Sequence, residues 1–445
     1  MTYDSPVTIT PELPHGLVTE DAVAAAFSHR YKDKLRYVAT WKTWLRYDGS
    51  VWHKDDTLNV FDLVRLFCRG FAARRNDADN TKDLGKASAV AAVERLAKAD
   101  RRHAATVDIW DADQWLLNTP AGVVDLRTGK MREHRSDDHM TKITAVSPGG
   151  DCPLWLKFLH RVTKGDADLI AFLQRLFGYT LTGSTREQVL GFFYGTGNNG
   201  KGVLLNTVSA VCGSYAAVAP IETFTESKND RHPADMAMLQ GSRLVTAQET
   251  EEGKRWAESK IKALTGGDPV TARFMRQDFF TYVPLFKLIF AGNHKPGLRN
   301  VDQAMRRRVH MILFDVIIPK EERDPDLKDK LELEWPGILK WMIEGCLEWQ
   351  ATGLRPPQVV LDATEEYFSI QDSVAIWLDE CCKRGSGYET SASLFASWHK
   401  FCGATGEFPI TQKRLSQRLL DMGLVAKREA GTGRSGFDGI TIHQS

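Results

Sequence analysis

The chain has 445 residues, of which 26% are charged, yet its formal net charge is only +1, which excludes nucleic-acid binding through a uniformly basic surface. Its seven cysteines include no C-x-x-C pair, which fits a reducing compartment, and no apolar run predicts a membrane span or an export signal. We therefore expect a cytosolic protein of about three domains.

The first part of the chain predicts a short tail followed by helices and hairpins. Residues 1–16 are rich in Pro and Thr and predict a flexible N-terminal segment. Residues 17–150 predict an accessory domain of amphipathic helices with two hairpins, at Trp44–Trp52 around an Asp-Gly turn and at Leu116–Met131. Apolar positions at helical spacing then predict helices within residues 151–185.

A glycine-rich segment near the centre of the chain predicts a phosphate-binding loop. An apolar run leads into Gly195-Thr196-Gly197-Asn198-Asn199-Gly200-Lys201-Gly202-Val203, a turn of the G-x-x-x-x-G-K type. Backbone N–H groups and a helix N-terminus would surround the phosphates, and Lys201 would bring a positive charge to them. The Ser or Thr that usually follows this lysine and ligates Mg²⁺ is Gly202 here. The alternative is a glycine-rich hairpin with a surface lysine.

Two later strands end in polar side chains that could complete such a site. The segment Arg243–Glu249 predicts a strand ending in an acid, so that Glu249 is the candidate to polarise the attacking water and to hold Mg²⁺. The segment Phe286–His294 predicts another strand, after which Asn293 could hydrogen-bond the γ-phosphate. Both patterns also have an ordinary explanation, because acids often start helices and asparagines often close strands.

Arginines lie at two further places in this region. Residues 270–283 predict a hairpin with Arg276 near its tip and Arg273 on its first strand. The cluster Arg306-Arg307-Arg308 leads into an apolar strand, and an arginine placed there can reach a neighbouring subunit's nucleotide. The alternatives are a surface hairpin and a solvated basic turn.

Residues 358–445 predict a separate unit at the end of the chain. Helix, turn, helix and β-hairpin follow one another in the order of a winged helix. In the predicted helix 411–422, three leucines have core spacing, Leu415, Leu419 and Leu420. That spacing turns three cations outward, Lys413, Arg414 and Arg418, on a surface that suits DNA phosphates or a duplex groove. A solvated basic helix or a protein-docking face is the alternative.

In sequence, these elements resemble superfamily-3 helicases, in particular the poxvirus, phage and plasmid primase-helicase family. The resemblance rests on Lys262-Ala263-Leu264-Thr265-Gly266-Gly267-Asp268-Pro269-Val270-Thr271-Ala272-Arg273 and on Gly292-Asn293-His294-Lys295-Pro296, which is similar to that family's N-H-x-P signature. The resemblance makes Lys201 the Walker A lysine, Glu249 the acid, Asn293 the sensor, and Arg307 or Arg308 the arginine finger. The tryptophan often found before that arginine pair is Arg306 here.

The resemblance implies an α/β P-loop ATPase core, AAA+-like, over residues 186–353. A mainly helical N-terminal region with a collar at 151–185 would precede this core, and the winged helix would follow it. It also implies ATP and Mg²⁺, a homo-oligomeric ring such as a hexamer, and single-stranded and forked DNA as partners. Arg273 and Arg276 would grip DNA in the channel. The setting would be replication of a phage, plasmid or integrated element, in a bacterial cytosol or a host cell, with a separate primase.

Two other function classes fit parts of the sequence. One is an ATP-switched origin-binding or replisome-assembly factor that melts or marks DNA without processive unwinding, and the departure at Gly202 leaves room for it. The other is a P-loop kinase, which would act as a monomer and whose ATP turnover DNA would not stimulate.

Overall fold

A computed structural model describes residues 19–73, 83–226, 234–248, 254–275, 278–298, 302–406, 409–428 and 433–443. Three of the sequence-based expectations fall outside these ranges, namely the segment 1–16, Glu249 and Arg276. Within the described part of the chain, no helix combines the length and the apolar composition that crossing a bilayer requires.

The N-terminal unit packs helices on a small sheet. Its strands run in the order β3-β2-β1-β4, and the predicted hairpin forms with Tyr47 opposite Trp52. The Asp48 carboxylate closes the turn by accepting the amide hydrogens of Ser50 and Val51 at 2.8 and 2.9 Å. The elements are α1 (Glu20–Tyr31), β1 (Leu35–Val38), β2 (Thr43–Tyr47), β3 (Trp52–Lys54), α2 (Asn59–Ala73), α3 (Ala87–Ala99) and β4 (Ala104–Ala105).

The second predicted hairpin is a three-stranded antiparallel meander. Two turns join its three strands, β5 (Leu116–Thr119), β6 (Gly122–Asp125) and β7 (Lys130–Arg132).

Two helices follow the meander, and the second of them packs closely against a much later helix. They are α4 (Pro153–Val162) and α5 (Ala167–Thr180), and the later helix, α11 in chain order, is Trp335–Thr352. Glycines let the backbones of α5 and α11 approach. A Cβ atom at Gly178 would lie 2.1 Å from the backbone nitrogen of Cys346, and one at Gly345 would lie 2.1 Å from the carbonyl oxygen of Gln174.

A five-stranded parallel sheet forms the centre of the molecule, with strand order β14-β8-β13-β10-β9. Every residue of β8 and β13 is buried, as expected for parallel strands covered on both faces. A mixed α/β fold with a parallel sheet is therefore confirmed. The elements are β8 (Leu190–Tyr194), α6 (Lys201–Cys212), β9 (Ala216–Val218), α7 (Ala234–Ala237), β10 (Leu244–Gln248), α8 (Glu258–Gly266), β11 (Val270–Ala272), β12 (Phe280–Tyr282), β13 (Lys287–Gly292), α9 (Gln303–Arg306), β14 (Val309–Leu313) and α10 (Leu327–Glu332).

The C-terminal unit contains helices and a three-stranded antiparallel sheet of order β15-β17-β16. Its own apolar core begins at Val374. The preceding helix contributes Tyr367 and Phe368 to the apolar core of the central sheet instead. The elements are α12 (Gln358–Gln371), α13 (Ser373–Cys381), β15 (Cys382–Thr390), α14 (Ser391–Thr405), α15 (Gln412–Asp421), β16 (Val425–Arg428) and β17 (Ser435–Ile442).

Helix α12 is fastened to the central sheet by polar contacts as well. The Tyr367 hydroxyl donates to the carbonyl oxygen of Pro296 and accepts the indole hydrogen of Trp256 at 3.1 Å. The Thr364 hydroxyl accepts the amide hydrogen of Met311 at 3.0 Å. Helix α12 therefore links the central sheet to the C-terminal unit while packing with the sheet.

The expectation that three leucines of α15 face the core is wrong for Leu420. Leu415 and Leu419 are each 1% exposed, whereas Leu420 is 41% exposed. Residues four apart lie on one face of a helix, but a residue one position further on is turned by about 100°.

The fold predicts one pH effect, at His310 on β14. The ring stacks on Phe172 of α5 with centroids 5.9 Å apart, and burial lowers the pKa of His310 to about 4. The unfolded imidazole titrates near pH 6.5, so between these values the unfolded chain binds a proton that the folded chain does not. This contribution to stability is therefore present above pH 6.5 and is lost as the pH falls towards 4.

The variant His310→Phe keeps the ring stack and removes the titration. In urea unfolding at pH 7 and pH 5, we expect the wild type to lose more unfolding free energy than the variant. Equal losses would show that His310 does not titrate differently in the folded and unfolded chains.

Candidate functional site

The turn between β8 and α6 forms a tight loop at the carboxyl edge of the central sheet. Gly197, Asn198 and Gly200 have φ values of 94°, 49° and 87°, and Gly200 is the N-cap of α6. A helix that begins in this way presents the N–H groups of its first turn to the loop, where they can bind an anion.

Two of the loop glycines have no room for a side chain. A Cβ atom at Gly195 would lie 2.0 Å from the carbonyl oxygen of Phe314, and one at Gly200 would lie 2.6 Å from a methyl carbon of Val162. Gly202 differs, because the nearest atom to its Cβ position is Oε1 of Gln248 at 4.0 Å. Position 202 therefore has space for a small side chain.

Lys201 is the first residue of α6, and its side chain is buried under the loop. The residue is 6% exposed, and its Nζ donates to the carbonyl oxygen of Gly195 at 2.8 Å and to Oδ1 of Asn293 at 3.3 Å. Burial lowers the pKa of Lys201. Both of these acceptors are neutral, and the described residues give Lys201 no carboxylate partner. A buried ammonium so placed favours binding of an anion.

The chain segment after β14 holds the loop in place. Asn199 Nδ2 donates to the carbonyl oxygen of Phe314 at 2.8 Å, and the amide of Ile318 donates to the carbonyl oxygen of Asn198 at 3.0 Å. The sequence analysis missed this strap, because a segment 115 residues later in the chain gives no local signal of contact with the loop.

The loop and the ends of β10 and β13 enclose a cavity of about 300 Å³. Its lining includes Lys201 from the loop and Asn293 from the end of β13, two of the side chains that the sequence analysis assigned to the phosphate site. Gln248, the last residue of β10, also lines the cavity and donates to Oδ1 of Asn206 at 2.9 Å. Sequence reasoning overlooked Gln248 in favour of Glu249, which follows it and lies outside the described residues.

Arg307 and Arg308, which follow α9, differ sharply in their surroundings. Arg308 is buried, and its guanidinium donates to Thr265 Oγ1 at 3.0 Å, to the carbonyl oxygen of Ala304 at 2.8 Å and to Gln188 Oε1 at 3.2 Å. Arg307 is exposed, and among the described residues its side chain makes one hydrogen bond, at 3.1 Å to the same Gln188 oxygen. Neither arginine lines the cavity of its own chain.

The predicted hairpin forms with shorter strands, β11 and β12, and it carries exposed apolar side chains. Val270 pairs with Tyr282, while Met275 and Phe279 beyond the strands are 71% and 59% exposed. The Arg273 guanidinium lies 4.7 Å from the centre of the Phe279 ring. The hairpin thus places a cation and an aromatic ring side by side at the surface.

The expectation that the α15 cations all face outward is correct for Lys413 and wrong for Arg418. Lys413 is exposed, whereas the Arg418 side chain is 21% exposed and donates to the carboxylate of Asp372. The cause is the docking of α15, which turns Arg418 towards the junction between α12 and α13.

The chain matches two family descriptions. Residues 24–164 match "D5 N terminal like", and residues 193–308 match a family of unknown function, DUF5906. Among curated proteins, 022R of Frog virus 3 (isolate Goorha) is 27% identical over 236 residues, and L207/L206 of Acanthamoeba polyphaga mimivirus is 22% identical over 281 residues. The names of both mark them as candidate helicases. The matches cover 48% and 58% of this chain but only 24% and 29% of those proteins.

Among solved structures, the A form of the apo C-terminal region of NrS-1 aligns over 92% of this chain and 96% of that chain. The TM-score is 0.49 and the identity is 9%, a likeness too loose to relate individual residues.

The loop geometry predicts opposite effects of adding one methyl group at two nearby glycines. Gly200→Ala should lower the unfolding free energy by about 1–2 kcal/mol from the left-handed backbone alone, with the Val162 contact adding to the loss. Gly202→Ala, the matched control, should leave stability unchanged or raise it slightly, because alanine favours helix. Urea unfolding of both variants measures the difference. Equal stabilities would contradict the described loop.

Proposed function

We propose that this chain, which belongs to the superfamily-3 helicases of the poxvirus, phage and plasmid primase-helicase family, is an ATP-hydrolysing, ring-forming DNA helicase. It would act in replication of a phage, plasmid or integrated element. The observation that carries the proposal is the buried Lys201 ammonium beside the N-terminus of α6, with only neutral oxygens as its described partners. This site suits the phosphates of ATP.

Different groups of the loop would bind different phosphates of ATP. The amides at the start of α6 would bind the β-phosphate, and Lys201 would exchange its neutral acceptors for β- and γ-phosphate oxygens. Once Lys201 is engaged in this way, Asn293 can turn its side chain to the γ-phosphate or the attacking water. The negative phosphates would also oppose the lowering of the Lys201 pKa by burial.

The described residues of the loop do not by themselves supply a full set of ligands for a metal ion. Among the described residues, no three His, Cys, Asp or Glu side chains are grouped to hold a metal, and position 202 has no hydroxyl. We propose that Glu249, directly after the cavity-lining Gln248, holds Mg²⁺ and orients the water. Bound Mg²⁺ would neutralise phosphate charge in the transition state.

Arg307 is the better candidate for an arginine finger than Arg308. A finger must extend from its own subunit to the nucleotide of the next one, and the exposed Arg307 guanidinium is bound to its own chain by one described hydrogen bond. The three hydrogen bonds that hold the buried Arg308 make it a structural residue instead. A trans-acting Arg307 requires assembly of several subunits, as in a ring.

Two surfaces are proposed to bind DNA. On the hairpin, Arg273 and Phe279 could hold a phosphate and stack a base without reading sequence, and Arg276 lies between them in the chain. The C-terminal unit has the helix and strand order of a winged helix, and its exposed Lys413 would bind duplex phosphates. The hairpin would move a single strand, while the C-terminal unit would hold the fork.

The function is tested by ATP hydrolysis and strand displacement on a DNA fork with two single-stranded arms. We expect the fork to stimulate hydrolysis, and we expect Lys201→Ala to abolish both activities while circular dichroism shows a retained fold. Unchanged turnover of Lys201→Ala at saturating ATP would reject the phosphate site. Stimulation without strand separation would favour the origin-binding or assembly factor, and phosphate transfer to a small acceptor would favour a kinase.

The finger is tested by comparing neighbouring arginines. Arg307→Ala should lower the hydrolysis rate by about 10³-fold or more and spare nucleotide affinity. Arg308→Ala should mainly lower the unfolding midpoint, because it leaves buried acceptors without their donor. Mixing Arg307→Ala with Lys201→Ala subunits should restore part of the activity at mixed interfaces. No recovery at any ratio, in oligomers confirmed by mass measurement, would contradict action in trans.

A further inference from the structure

A buried carboxylate lies between two arginines that belong to different parts of the chain. The Asp372 side chain is 8% exposed and stands between α12 and α13. One of its oxygens accepts the amide hydrogen of Ala375 at 3.2 Å, which caps α13. The other oxygen is 2.5 Å from Nη2 of Arg418 and 3.7 Å from Nη2 of Arg306. Asp372 therefore contacts α15 on one side and the end of α9 on the other.

Arg306 is held firmly where α9 ends. Its Nη1 donates to both carboxylate oxygens of Glu365 at 2.8 Å, and its guanidinium lies 5.3 Å from the ring centre of Phe368. The next residue along the chain is Arg307. Because α9 has only four residues, the position of the Arg306 side chain restricts the backbone that presents Arg307.

Helix α15 also faces the beginning of α9. Asp302 caps α9 by accepting the amide hydrogen of Met305 at 2.8 Å. Burial raises the pKa of Asp302, but the ion pair with Lys262, the Met305 amide and the positive charge of Arg414 outweigh it, so that the pKa is lowered. Arg414 and Arg418 are four residues apart and share a face of α15. The charge of Arg414 thus acts on Asp302 at the beginning of α9. At the end of α9, Arg306 shares the Asp372 carboxylate with Arg418.

We propose that Arg306 and Asp372 are positioning residues for Arg307, and that Asp372 transmits DNA binding at α15 to that arginine. The inference rests on the proposed function, since it gives Arg307 a catalytic role and α15 a DNA-facing one. It adds the route by which DNA at the C-terminal unit changes the rate of ATP hydrolysis.

The route follows from competition for one carboxylate. A DNA phosphate that binds Arg418 withdraws the closer of the two cations from Asp372. The Arg306 contact at 3.7 Å is longer than a hydrogen bond, so a freed Asp372 oxygen can draw Arg306 into one. Arg307 moves with it because it is the adjacent residue. DNA binding and the placement of Arg307 are thereby coupled.

Arg418→Gln tests the route, with Arg384→Gln as the matched control. Both variants remove one arginine charge from the C-terminal unit, and Arg384 is exposed on β15. We expect Arg418→Gln to raise hydrolysis without DNA to the fork-stimulated rate of the wild type, so that the fork has no further effect. Arg384→Gln should keep the wild-type stimulation. The same stimulation in both variants would overturn the inference.

Asp372→Asn provides a second variant with a different signature. It keeps the side-chain shape and removes the charge that both arginines share, so we expect kcat to fall with and without the fork while KM for ATP stays constant. Asp372→Glu should restore part of kcat. A purely structural Asp372 would instead lower the unfolding midpoint without this split between kcat and KM.

Hydrogen exchange separates a failure of this inference from a failure of the proposed function. Deuterium uptake of a peptide covering residues 303–313 is measured with and without forked DNA, and it needs no ATP hydrolysis. Fork-dependent uptake in the wild type and in Arg384→Gln, but not in Arg418→Gln, supports the route even in a protein that does not unwind DNA. Uptake that the fork leaves unchanged in the wild type would overturn it.

Discussion

Burying the ammonium of Lys201 is the constraint on which the rest of the candidate site depends. An ammonium taken out of water loses several kcal/mol of solvation, and two neutral oxygens replace only part of that loss. The protein tolerates this position because Lys201 begins a helix whose strand, loop and neighbouring strand end are all fixed by a buried parallel sheet. An anion entering the cavity would interact with the ammonium and offset its lost solvation. The fold therefore holds the positive charge in place before the ligand binds.

Close contacts also hold distant segments of the chain together near the central sheet. The strap after β14 reaches back to Asn198 and Asn199, and glycines at 178 and 345 bring α5 and α11 into backbone contact. Each of these contacts joins segments that are more than a hundred residues apart. Movement of the loop is therefore restricted by the segment after β14 as well as by the sheet.

The sequence predicted those parts of the site whose signals are local. The glycine loop, the helix after it and the strand before Asn293 each follow from a few consecutive residues, and the family resemblance rested on two further short segments, at 262–273 and 292–296. Arg307 and Arg308 could not be told apart, because adjacent identical side chains differ only in what tertiary packing places around them. For the same reason the sequence analysis predicted that Arg418 faces outward, because its partner Asp372 lies between α12 and α13, far from Arg418 in the sequence. The meander at 116–132 shows that a hairpin signal does not reveal a third strand.

The double role of α12 has a consequence for how the molecule can be divided. A cut that follows the proline pair at 356–357 looks natural in the sequence, yet it would remove Tyr367 and Phe368 from the core of the central sheet and release Pro296, three residues beyond Asn293. A cut after residue 371 leaves that core closed and removes only the part with its own core. The apolar core of the C-terminal unit therefore begins only after the end of a helix that the sequence analysis grouped with that unit.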